Sequence, residues 1–153
     1  MKTVRVYGPP ETALPFDLRD FLELLAPRAR TALWTVSAVD AGYQWFDATG
    51  PGGANLEAMA QSDKRVTGQL LTEAARDTLQ VIWGEFTGSL PQAPDQDWVI
   101  IRAIDSTFYE VTTNDDEVLR QVEASFGDVR FCDKVWKPSS DEAVVASTHD
   151  SDR

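Results

Sequence analysis

The sequence predicts an α+β fold: an antiparallel meander sheet of about four to six strands with helices packed mainly on one face. Two observations carry this prediction. Residues 80–88, 98–105 and 107–113 have strand composition and are separated only by a proline-rich loop and a very short polar turn, which favours antiparallel neighbours. Residues 16–26, 67–79 and 114–126 place apolar side chains at helical spacing.

The elements follow in order. Residues 2–7 alternate and form a short strand that Gly8-Pro9-Pro10 ends. In 16–26, Leu18, Phe21, Leu22 and Leu25 make one stripe, Asp17 caps it and Pro27 closes it. Residues 31–39 form a strand with Ala32, Trp34, Val36 and Ala38 on one face. Residues 48–55 (ATGPGGAN) are a loop by composition; neither Gly-Lys-Ser/Thr nor GxGxxG spacing makes it a phosphate loop. A short helix follows over 55–63, then a longer one from the cap Thr67 to Leu79, with Leu70/Leu71, Ala74/Ala75 and Thr78/Leu79 as its stripe. After the three meander strands, Asn114 caps a last helix and Glu117 completes a capping box. Gly127 ends that helix, and residues 128–133 are a final strand. Residues 1–137 therefore read as one globular domain and 138–153 as a flexible acidic tail.

Bulk properties exclude whole classes of function. With 153 residues the chain can bury roughly two thirds of its unfolded surface as one domain. No apolar run approaches a membrane span, and the N-terminus lacks the pattern of a secretory signal, so a cytoplasmic location is expected. The net charge of −11 repels nucleic acid and anionic membranes and suits a protein partner with a basic surface. With Cys132 as the single cysteine, no internal disulfide or multi-cysteine metal site is possible.

The inventory of reactive groups points away from an enzyme. The single histidine, His149, falls in the tail, away from any nucleophile it could activate. Cys132 reads as a small buried hydrophobe. The acids Asp115, Asp116 and Glu117 open a helix, where they complement its dipole. No metal site and no cofactor is expected.

Two sets of residues remain. Glu85, Arg102, Asp105 and Glu110 lie on consecutive meander segments; they form either a structural ion pair, with Glu85 or Glu110 answering Arg102, or a carboxylate site. The aromatic loop 41–53 suggests a partner-binding surface of Tyr43, Trp45, Phe46 and Asp47, joined by Asp95, Asp97 and Trp136. The expected function is thus a small acidic binding protein, an inhibitor or immunity-type protein masking a basic surface. A small carboxylate-using enzyme and a structural subunit of a bacterial or phage assembly are the alternatives.

Overall fold

The computed structural model describes residues 1–40 and 45–138. Tyr43, His149 and all of the tail beyond Pro138 therefore lie outside the described residues. The chain runs β1 (Lys2–Tyr7), α1 (Leu18–Leu24), α2 (Arg28–Thr31), β2 (Leu33–Ser37), β3 (Asp47–Thr49), α3 (Pro51–Ala60), β4 (Val66–Thr67), α4 (Gly68–Arg76), β5 (Gln80–Ser89), β6 (Val99–Ile104), β7 (Phe108–Thr113), α5 (Asp116–Ser125) and β8 (Asp128–Cys132). The fold is α+β, as its periodicities imply. Among the described residues no helix is long and apolar enough to cross a membrane.

All strand pairings are antiparallel, in an eight-stranded sheet ordered β4-β2-β5-β6-β7-β1-β8, with β3 also on β5. The strand number exceeds the expected range because β3 and β4, of three and two residues, are too short to show a period of two. The meander β5-β6-β7 forms the centre, and the N-terminal strand inserts between β7 and β8. The tight β6–β7 turn follows from two adjacent left-handed residues, Asp105 (φ 52°) and Ser106 (φ 59°), with Thr107 N–H donating to Ile104 O at 2.9 Å.

One sheet face carries the helices. Val4, Val6, Trp34, Val36, Phe86, Ile101, Tyr109 and Val111 meet Leu18, Phe21, Leu22, Leu56, Leu71, Ala75, Val118 and Val122 in a single buried cluster. Each such aliphatic or aromatic side chain contributes about 1.5–3 kcal/mol of burial. Val81 and Phe86 both face this core although they are an odd five positions apart. The register shift opposite Asp47 and Ala48 accounts for that odd spacing: a bulge turns Trp83 and Glu85 to the other face.

Several boundaries differ from the sequence reading. The stretch 48–55 is not a loop: Thr49 closes β3, Gly50 adopts φ 88°, and Pro51 starts α3 with its ring at the first helical position. Composition misleads here because the glycines serve close packing. A Cβ on Gly52 would stand 2.0 Å from Ala74 O, and one on Gly53 would stand 2.5 Å from Ala48 O. α4 ends at Arg76 instead of Leu79, since Leu79 N–H leaves to bond Thr49 O at 2.8 Å. Leu70 and Leu79, at 51% and 71% exposure, are consequently not core. The cap of α5 is Asp115, whose Oδ1 accepts from Glu117 N–H at 2.9 Å, and not Asn114.

Candidate functional site

The opposite sheet face carries a row of polar residues in direct register. Ser37 faces Glu85, Glu85 faces Arg102, Arg102 faces Glu110, Glu110 faces Arg5, and Arg5 faces Arg130. Six adjacent strands thus each contribute one side chain to a line running across the sheet. Alternation along every strand produces it: the neighbours Phe86, Ile101 and Val111 point into the core.

The centre of the row is dry. Glu110 is fully buried, and Arg102 is 6% exposed. Arg102 Nη1 donates to Glu110 Oε1 at 2.7 Å and to Trp136 O at 3.0 Å, while Nη2 donates to Val39 O at 3.3 Å. Its Nε lies 3.0 Å from Glu85 Oε1, an ion-pair distance whose angle is poor for a hydrogen bond. Glu110 Oε2 accepts from Arg5 Nε at 3.0 Å and from Trp136 N–H at 2.7 Å. Both oxygens of Glu110 are therefore committed to donors. Burial pushes the Glu85 carboxyl above the usual range, against the Arg102 charge and the Ser37 hydroxyl, and Asp97 adds to the rise.

Asp105 stands apart from this group. It sits exposed at the left-handed turn, beyond the last residue of β6, so the four residues expected together are three plus an outlier. Arg5 takes its place, and Trp136 supplies main-chain groups. Neither was foreseeable, because the sequence does not reveal that β1 pairs with β7.

Beside the centre of the row, three tryptophans from distant segments meet. The ring centroids are 4.7 Å apart for Trp45–Trp83, 5.3 Å for Trp83–Trp136 and 5.6 Å for Trp45–Trp136. Each remains half-buried. Val39, Ile104 and Phe108 form the buried floor beneath Trp83 and Trp136. The segment around Trp45 is tied down by Val39 N–H to Trp45 O at 2.9 Å. Exposed acids adjoin: Asp47 is the register partner of Trp83, and the turn bearing Asp105 bonds Ile82 O through Ser106 N–H at 3.2 Å.

The other expected binding residues divide. Phe46 turns toward the core, 6.3 Å from Phe86. Asp95 and Asp97 are exposed on the loop joining β5 to β6, at the opposite end of β5 from Trp83. Asp97 lines a cavity of about 250 Å³ there with Trp98 and Asp115. Trp83 joins the aromatic group unannounced; its position inside a strand gave no signal of exposure.

No known protein family, curated protein or solved structure matches this chain.

A cleft of about 870 Å³ is lined by Tyr7, Pro9, Pro15, Phe16, Leu24 and Phe126 among others. Its acids are already engaged: Glu23 by Arg30 and Arg76, Asp128 by Arg130, and Asp20 by the N–H of Asp17. Cys132 is half-buried on the edge strand β8, with Sγ 3.7 Å from Arg130 O.

Proposed function

We propose that this protein is a small acidic binding protein of the inhibitor or immunity type, which covers a basic surface of a protein partner with its three-tryptophan face. One observation carries the reading: Trp45, Trp83 and Trp136 converge at 4.7–5.6 Å yet keep accessible surface, beside the exposed acids Asp47 and Asp105. Rigid aromatic anchors bury large area for little lost side-chain entropy, and such residues dominate binding hot spots. A net charge of −11 speeds encounter with a cationic surface. The row beneath supports the face mechanically: Trp136 is fixed through its own N–H and carbonyl, so its ring is positioned before any partner arrives.

The carboxylate-enzyme reading gains nothing from this arrangement. Both oxygens of Glu110 already accept hydrogen bonds, and the side chain has no accessible surface from which to meet a substrate.

The test is capture of a partner by the intact chain, compared with Trp45→Ala and with Asp47→Lys/Asp105→Lys. The tryptophan variant should lose about 2–4 kcal/mol of affinity, and the charge variant should slow association and flatten the salt dependence. Capture that is equal for all three proteins would remove this face from the function.

A further inference from the structure

Trp136 also walls a separate cavity of about 590 Å³, whose lining is Arg5, Lys134, Val135, Trp136 and Lys137. Three of these five are cations, and no acid is among them. This is unexpected in a chain where acids outnumber bases 25 to 14. Lys2, Arg28, Arg30, Arg76, Arg120 and Arg130 each meet a carboxylate, whereas Arg19 donates to Thr78 O and Lys64 and Arg65 form no ion pair among the described residues. Lys134 and Lys137 are exposed, and neither forms an ion pair among the described residues.

The third cation is only partly compensated. Arg5 meets Glu110, but that carboxylate also serves Arg102. Across the strands Arg5 faces Arg130 directly, and like charges in that position destabilise a sheet. Asp128 relieves Arg130 through two bonds of 2.9 Å, and Asp133 is the nearest acid in sequence to Lys134. The lining itself stays positive and is held in shape by the two main-chain bonds of Trp136.

We propose that this cavity binds a phosphate monoester, its oxygens held by Lys134, Lys137 and Arg5 and its organic part lying against the Trp136 indole. A doubly charged phosphoryl group answers three cations better than a single carboxylate does, and Val135 with Trp136 supplies the apolar wall. The net negative field opposes an anion at long range, but salt screens it beyond about 8 Å, so the adjacent ammonium groups dominate. The two readings share Trp136, but the phosphoryl group is held by Lys134 and Lys137, which the tryptophan face does not use.

The experiment titrates the intact protein with phenyl phosphate, inorganic phosphate and benzoate, following tryptophan fluorescence and heat of binding. Phenyl phosphate should bind more tightly than either of the others, and Lys134→Gln/Lys137→Gln should weaken it about tenfold or more while leaving the unfolding midpoint unchanged. No binding at millimolar phenyl phosphate overturns the site, as does equal binding to the lysine variant. Benzoate binding as tightly as phenyl phosphate overturns the choice of ligand. Partner capture that survives the lysine substitutions keeps the two readings separable.

Discussion

Glu110 lies directly opposite Arg102 on the neighbouring strand, with Oε1 2.7 Å from Nη1 and no carboxylate surface left to solvent. A buried pair of this kind is weak evidence for net stability, yet breaking it from one side is expensive.

Replacing Arg102 with Met leaves Glu110 buried with Arg5 as its only charged partner and leaves Glu85 without its cation. The expected loss is about 3–5 kcal/mol in urea unfolding. Glu85→Gln should lose far less, because that side chain keeps 28% of its surface. A loss below about 1 kcal/mol for Arg102→Met would show that the row is dispensable to the fold.

The buried Asp17 gives the fold a pH slope of defined sign. Burial pushes its carboxyl up, against hydrogen bonds from Val81 N–H at 3.0 Å and Tyr109 O–H at 2.8 Å. The folded state therefore holds the proton more tightly than the unfolded chain does. That contribution is present below the unfolded value and is lost as pH rises through the raised one. Asp17→Asn keeps an oxygen for both donors and should flatten the fall in stability as pH rises above the ordinary carboxyl range of about 4. Glu85 is shifted in the same direction, so part of the slope should persist. An unaltered slope in Asp17→Asn would refute the assignment.

Asp115 behaves in the opposite way. Burial works against its charge, but Trp98 Nε1–H at 3.0 Å, Arg28 Nη1 at 2.6 Å and the Glu117 N–H outweigh it and hold the carboxyl below the usual range. Its stabilisation is present above the unfolded value and disappears as pH falls through the folded one. Asp115→Ala should cost about 2 kcal/mol at neutral pH and less in acid, with Asp115→Asn intermediate because it retains the cap. Thermal unfolding at two pH values distinguishes these outcomes.

Two glycines offer a paired test of packing. Gly52→Ala would push a methyl to 2.0 Å from Ala74 O and should separate α3 from α4, destabilising by about 1–3 kcal/mol. Gly127→Ala meets no atom within 4 Å and should be neutral or stabilising by about 0.4–1 kcal/mol. Equal effects at the two positions would contradict the helix contact.

The meander was legible because its three strands each span at least six residues of strand composition and are joined by a proline-rich loop and a tight turn. So was the need of Arg102 for an acid, since an arginine between Ile100 and Ile104 is surrounded by apolar positions. What stayed hidden was long-range. Arg5 reads as an ordinary strand charge until β1 is placed beside β7, with Arg5 opposite Glu110, 105 residues away in sequence. Trp83 faces outward only because of the bulge in β5, and that bulge leaves no local signature. The grouping of Asp95 and Asp97 with Trp45 rested on composition alone, which carries no information about which end of a sheet a loop occupies.

The placement of β1 between β7 and β8 sets an order on the making of this protein. β1 has no sheet neighbour until residues 108–113 of β7 have been synthesised, and its second, β8, follows at 128–132. Until then Val4 and Val6, both fully buried at the end, face solvent, and Glu110 has not been made to meet Arg5. Closure of the sheet is therefore a late and non-local event, and joining strands so far apart in sequence slows folding.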